Sequence, residues 1–383
     1  MNNAVIVSVK RTAIGRIGGA LAHLRPEQLA SPLIQSIISE SSLDPMMIDD
    51  VILGNVVGPG GNMARLSLLQ AGLPTSVPGV TVDRQCGSGL EAINMASRLV
   101  QAGAGDMYIA GGVESTSRAP WKVEKPESLF NPSGPTFYGR ARFSPEEIGD
   151  PEMGEAAENV ASAYHVSRED QDVYAYSSHQ KAINAQQENV FQSEIVPVDG
   201  IDVDECPRPN TSLSKLARLH SVFRDYGTVT AGNACPLNDG AAVVLIMSEE
   251  KCKQLGLTPL AQFIDATSAG VDPNYLGIGP VPAVRKLLER QHCSIETIDV
   301  VEFNEAFASQ TLASLRELRI PLDKVNLSGG ALALGHPYGA SGAILVTRLI
   351  TEMKRHHLHT GLATLGIGGG LGLATMLQNV QEG

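Results

Sequence analysis

The chain has 383 residues, 43% hydrophobic and 18% charged, which is enough apolar content for two or three domains around a sizeable core. A formal charge of −12 without a long basic run argues against nucleic acid as a partner, and no stretch approaches the ~18 uninterrupted apolar residues of a membrane span. Five scattered cysteines (Cys86, Cys206, Cys235, Cys252 and Cys293) with no Cys-x-x-Cys pair argue against a disulfide framework or a zinc site and fit a reducing cytoplasm.

In chain order, the opening run lacks the basic start and long apolar core of a signal peptide and reads as a first strand. A β-type run then reaches Arg84-Gln85-Cys86-Gly87-Ser88-Gly89, and a helix-type run follows from Leu90 to Gln101. A cysteine at that junction lies near the positive end of a helix dipole, with free backbone N–H groups close by, and both effects favour thiolate. Its small neighbours leave room for a carbonyl. Cys86 is therefore a candidate nucleophile able to carry an acyl group as a thioester. The competing reading, a small buried cysteine at a tight turn, is the commoner state of a free cysteine.

From about residue 119 to 227 the α/β pattern is interrupted. The stretch begins with Pro120, Pro126, Pro132, Gly134 and Pro135, then predicts a helix capped by Ser167 and running to about Gln187. Arg208, Lys215, Arg218 and Arg224 lie in it, and each taken alone reads as solvated surface. Beyond it, Glu302-Phe303-Asn304-Glu305-Ala306-Phe307 ends an apolar run in polar residues. Gly335-His336-Pro337 places a single histidine among small residues ahead of a further helix. The terminal Gly366-Ile367-Gly368-Gly369-Gly370 offers N–H groups for an oxyanion hole, and its spacing does not fit a dinucleotide fingerprint, which leaves a cysteine-dependent dehydrogenase without a cofactor site. His356, His357 and His359 read as an exposed turn and not as a metal site.

Two stretches of the chain repeat each other. Residues 48–55 match 298–305, and Cys86-Gly87-Ser88-Gly89 parallels Tyr338-Gly339-Ala340-Ser341-Gly342, both at an offset of about 250 residues. Residues 238–247 match 370–377 at roughly half that offset, as an insertion in the first half requires. Two similar α/β halves follow, with Ser88 opposite Ser341 and His336 near the place that Cys86 holds in its own half. A cysteine and a histidine then face one crevice, where the imidazole can take the thiol proton.

Over essentially its whole length the chain resembles the thiolase family of acyl-CoA acyltransferases. The resemblance rests on Lys10-Arg11-Thr12-Ala13-Ile14-Gly15-Arg16, the Cys86 motif, Gly111-Gly112-Val113-Glu114-Ser115, residues 227–234, Asn304-Glu305-Ala306-Phe307 and Gly335-His336-Pro337. It implies a five-layered αβαβα thiolase fold: a first half over 1–118 completed by 228–256, an inserted CoA-binding loop domain over 119–227, and a second half over 257–383. It implies that Cys86 is acylated and His336 activates it. One oxyanion hole would be formed by Asn304 (through a water) and His336, the other by the N–H groups of Cys86 and Gly368. Met153, Ala306 and Phe307 would line the acyl pocket, and Arg208 and Cys235 would contact coenzyme A. The implied substrates are CoA thioesters with no bound cofactor or metal, and the implied assembly is a homodimer or homotetramer in the cytoplasm.

The sequence departs from the family pattern at Gly366, where thiolases carry a second cysteine that moves the proton on the α-carbon. His336, Glu305, Cys235 or a water are the groups left to do so. Two functions follow. One is acetyl transfer that makes or cleaves acetoacetyl-CoA or another 3-ketoacyl-CoA. The alternative is a degenerate homologue that binds acyl-CoA, or is acylated, without efficient carbon–carbon chemistry.

Overall fold

Apolar runs without polar alternation become strands covered on both faces. In the computed structural model, which describes residues 2–126, 128, 130 and 134–380, the main strands are β1 (Ala4–Arg11), β2 (Asp50–Gly54), β3 (Gly79–Val82), β4 (Met107–Ser115), β5 (Asn238–Ser248), β6 (Ala261–Gly270), β7 (Val300–Phe303), β8 (Thr360–Ile367) and β9 (Leu371–Asn379). Pro132 lies outside the described residues. The strands follow one hydrogen-bonded path, β7-β8-β9-β6-β1-β5-β4-β2-β3. The path is pinched between β1 and β6, which pair only through Val5 with Gln262 and Ile6 with Ala261.

The pinch separates two halves with one topology. In the first, β2 and β4 run parallel, β5 is antiparallel to β4, and β1 is antiparallel to β5. In the second, β7 and β8 run parallel, β9 is antiparallel to β8, and β6 is antiparallel to β9. Only the edge strand differs. β3 pairs with β2 over four residues, while its counterpart is the single bridge between Val301 and Val325.

The longer helices are α1 (Pro26–Glu40), α2 (Ser88–Ala102), α3 (Met153–Ala163), α4 (Arg168–Gln187), α5 (Pro280–Arg290), α6 (Ala308–Leu318) and α7 (Tyr338–Arg355). Strand alternation assigns them to layers. Tyr108 and Ala110 of β4 share a buried cluster with Ile93 of α2, Val346 of α7 and Leu365 of β8, so α2 and α7 form a central layer between the sheets. Met107 and Ile109 face the other way, onto Leu33 and Ile37 of α1. On the far side, Leu362 and Met376 pack with Leu287 of α5 and Leu312 of α6. The result is the five-layered αβαβα arrangement.

The two central helices meet backbone to backbone at their N-termini. A Cβ on Gly89 would lie 2.6 Å from the Gly339 carbonyl oxygen, and one on Gly342 would collide with the Leu90 backbone. The glycines at the two matching motifs therefore bring the helix starts together.

The excursion between β4 and β5 holds a short hairpin (Lys122–Glu124 with Thr136–Tyr138), α3 and α4. Ser167 Oγ accepts the Asp170 N–H at 3.1 Å and starts α4 where the sequence predicts. The excursion is tied to the frame by buried charge. Arg11 of β1 binds Glu194 at 2.6 Å and Asp204 at 2.7 Å, and Phe191 lies under the guanidinium groups of Arg11 and Arg348. Removing one partner would leave a buried charge uncompensated.

Candidate active site

A strained turn builds the start of α2. Gln85 adopts a left-handed φ of 48°. Ser88 Oγ accepts the Arg84 N–H at 2.8 Å and donates to the Gln85 carbonyl at 2.6 Å. Cys86 is held at the mouth of the helix, where its own N–H and that of Gly368 both point at its sulfur. It lines a cavity of about 620 Å³ with Gly368, Met153, Tyr338 and Phe143.

Burial pushes the Cys86 thiol up to about 11, against the partial relief from those two N–H groups, and the negative charges of Glu114 and Asp83 add to the rise. The N–H groups at the helix start pull toward thiolate, as expected, but do not set the net direction. Loss of hydration outweighs the dipole, because the sulfur faces a protein-lined cavity and two acidic side chains.

The start of α7 is built differently. His336 is 2% exposed, and its backbone N–H donates to Asn238 Oδ1 at 2.8 Å. Ser341 Oγ lies 2.6 Å from its Nδ1, and Asn304 Nδ2 lies 3.4 Å from its Nε2. Because an amide nitrogen only donates, this network assigns Nε2 as the free base and Nδ1–H as the donor to Ser341. Desolvation lowers His336 to about 4, so the ring is neutral at ordinary pH. The resting side chains are a thiol and a neutral imidazole.

The NEAF segment contributes through its backbone as well. The Ala306 carbonyl accepts the Cys235 N–H at 3.0 Å, and the Phe307 ring meets Phe223 edge-on at 6.1 Å. Burial raises the Cys235 thiol further than that of Cys86, and the charge of Cys86 adds to the rise. Glu305 is fully engaged: Tyr174 Oη at 2.9 Å, Ser178 Oγ at 2.7 Å, Asn326 Nδ2 at 2.6 Å and the Leu332 N–H at 3.1 Å all bind it. It is a scaffold for the loop and is not free to take a proton.

The structure gathers Cys86, Gly368 and Met153 around the cavity, while His336, in contact with Asn304, adjoins two of its lining residues, Leu237 through a backbone bridge and Tyr338 through its ring at 5.1 Å. Arg208 is not among the cavity residues. It is exposed, and its backbone N–H donates to His179 Nδ1 on α4 at 3.2 Å. Glu152 lines the cavity paired with Arg140 at 3.1 Å, which Asp150 also binds at 2.9 Å. Lys122 and Arg142 also line the cavity. His356 pairs with Glu352 and His359 with Gln378, and among the described residues no group of acidic, histidine or cysteine side chains is arranged to hold a metal.

Sequence reasoning missed Ser341, Asn238 and Glu114. Ser341 was marked only as the match of Ser88, and its position five residues after His336 was the available signal. Glu114 accepts the Val56, Val57 and Gly339 N–H groups at 3.0–3.1 Å and so ties the start of α7 to the loop that follows β2. Burial raises its carboxyl to about 7 despite them.

A duplicated αβαβα core with a cysteine and a histidine at paired helix starts defines a class, and the comparisons agree. The model for the thiolase N-terminal domain matches residues 4–250 and that for the thiolase C-terminal domain residues 257–379, and the chain belongs to the thiolase family. It is 51% identical over 382 residues to a Staphylococcus epidermidis protein provisionally named acetyl-CoA C-acetyltransferase VraB, covering 99% of both chains. A Staphylococcus haemolyticus protein of the same provisional name is 51% identical over 386 residues, covering both chains completely. Among solved structures, the Bacillus anthracis acetyl-CoA acetyltransferase superposes with a TM-score of 0.94 at 40% identity, over 99% of each chain.

Proposed function

We propose that this thiolase-family protein is an acyltransferase that carries an acetyl group on Cys86 and moves it between CoA and acyl-CoA, making or cleaving acetoacetyl-CoA or another 3-ketoacyl-CoA. The observation that carries this reading is the Cys86 sulfur, reached by two backbone N–H groups, on a cavity also lined by Tyr338, whose ring meets that of a neutral His336 with an unprotonated Nε2.

As Cys86 Sγ attacks the acyl carbon, its proton passes to His336 Nε2. The high thiol value and the low histidine value mean that this transfer accompanies attack rather than preceding it. The oxygen that gains charge is held by the Cys86 and Gly368 N–H groups. The C–S bond to CoA then breaks, and His336 returns the proton to the departing thiolate. Asn304 and His336 serve the enolate of the second substrate. Met153, Ala306 and Phe307 shape the acyl end, while Arg208, Cys235 and the inserted segment 119–227 hold the CoA arm.

The reading includes a homodimer or homotetramer in the cytoplasm. It is supported by five free cysteines, the exposed edge of β3, and the exposed Trp121 and Phe137 on the hairpin. No helix among the described residues is long and apolar enough to cross a membrane.

A second reading is favoured by Gly366: the protein is acylated or binds acyl-CoA while carbon–carbon chemistry is inefficient. Intact mass after incubation with acetyl-CoA tests the first step, and acetoacetyl-CoA thiolysis tests the second. An adduct with rapid thiolysis supports the enzyme, and an adduct without thiolysis supports the second reading. No adduct on the wild type sinks the acyl-transfer proposal.

A further inference from the structure

Gln310 lies in the first turn of α6 and is 2% exposed. Its Oε1 accepts the Phe307 N–H at 3.3 Å. That contact fixes the amide, because the flipped orientation would set two donors face to face. Nε2 is thereby turned toward Gly366, where it has no hydrogen-bond partner among the described residues. A buried donor left unmet costs about 1–3 kcal/mol, so an acceptor at this point stabilises the fold.

The space that Nε2 faces is the one that a side chain at 366 would fill. A Cβ on Gly366 would lie 3.4 Å from Gln310 Nε2, 3.4 Å from the Gly277 carbonyl oxygen and 3.5 Å from the Leu276 carbonyl oxygen. These carbonyls accept Ser314 Oγ at 3.4 Å and the Gly279 N–H at 3.2 Å respectively, which leaves each a second lone pair. One donor and two acceptors thus converge on the point where a side chain at 366 would begin, and a water molecule, which both donates and accepts, complements all three.

We propose that one water, bound by Gln310 Nε2 and the carbonyls of Gly277 and Leu276, takes the place of the absent side chain at 366 and carries the α-proton in the carbon–carbon step. The inference rests on the acyl-transfer reading of Cys86. Its location supports the role: Ile367 packs over Gly87, and the Gly368 N–H reaches the Cys86 sulfur. In condensation, the C–H electron pair of the acetyl-CoA methyl becomes the new C–C bond to the acyl carbon, and the bond from that carbon to Cys86 Sγ breaks. The water accepts the proton from carbon as it passes one of its own toward the departing sulfur. The net transfer is one proton from carbon to Cys86 Sγ, with the water regenerated.

Two independent readouts test this. In a high-resolution crystal structure, an ordered water is expected within hydrogen-bond distance of Gln310 Nε2 and the Gly277 carbonyl. It should be lost in Gly366→Ala, whose methyl fills the gap, and in Gln310→Leu. In D2O, deuterium entering the methyl group of acetyl-CoA is measured relative to Cys86 acylation by intact mass. That ratio should fall at least tenfold in both variants and rise above the wild-type value in Gly366→Cys, where a thiol displaces the water. Gln310→Met keeps the side-chain length without the donor and serves if the leucine variant does not fold. An empty gap in the wild type, or an unchanged ratio in Gly366→Ala, overturns the proposal. A water in place with no acylation of wild-type Cys86 overturns the acyl-transfer reading and the proton-carrying role together, while the water site stands.

Discussion

The starts of α2 and α7 occupy equivalent places in the two halves and use the same residue type in opposite ways. At the first, Ser88 spends both its hydrogen bonds on backbone, one from Arg84 N–H and one to the Gln85 carbonyl. The turn is rigid, and the thiol of Cys86 is left facing the cavity. At the second, Ser341 binds the imidazole of His336 and leaves the turn to Asn238 and Glu114. Duplication supplied one scaffold twice, and a change of hydrogen-bond partner left one copy presenting a thiol to the cavity and the other holding an imidazole.

The largest effect expected from breaking this division is at the reactive atom. Cys86→Ala should lower acetoacetyl-CoA thiolysis by ~10⁴-fold or more, because a nucleophile has no substitute. Intact mass should then show no acetyl adduct. His336→Ala should cost ~10²–10⁴-fold, the usual range for a positioned base.

The next effect is one of pH. Folding raises Cys86 to about 11 from an ordinary 9.0, so its thiolate fraction keeps growing well above neutrality. Iodoacetamide labelling of Cys86 should rise about tenfold per pH unit between pH 7 and 9, with no plateau. A plateau near pH 7 would mean a preformed thiolate–imidazolium pair. The same shift carries a stability consequence. Below pH 9 both folded and unfolded chains hold the proton, and between about 9 and 11 the unfolded chain loses it first, so stability falls as pH rises through that window.

The two serines separate the roles most directly. Ser341→Ala should lower kcat by roughly 10–100-fold, the size seen when a histidine loses an orienting partner, and should alter the pH profile. Ser88→Ala is the smallest change. It should appear first in the denaturation midpoint, at about 1 kcal/mol for a lost turn and helix-start contact. If Ser88→Ala instead changed the pH profile and Ser341→Ala changed only stability, the contrast between the two helix starts would be wrong.

Much of this was legible in the residues. The repeat announced two halves, and the apolar runs became strands buried on both faces. The Ser167 cap placed α4, and the Cys86 and His336 motifs sat at helix starts. What was not legible depended on surroundings. The helix-start argument for Cys86 gave the direction of one effect and not the balance, because a local motif carries no information about how much water the fold excludes. Glu305 looked like a base in sequence, yet four donors from three distant segments saturate it. Gln310 carried no signal at all, since its meaning lies in what stands opposite it.

The sequence by itself thus determined the duplicated α/β plan, the family, and which side chains stand at the two helix starts, because periodicity, glycine placement and motif order are local properties. Only the tertiary structure decided the protonation of Cys86 and His336, the partner of each serine, and the polar gap beside Gly366. Burial and electrostatics are set by contacts between segments far apart in the chain, and those exist only once the two halves have closed on each other.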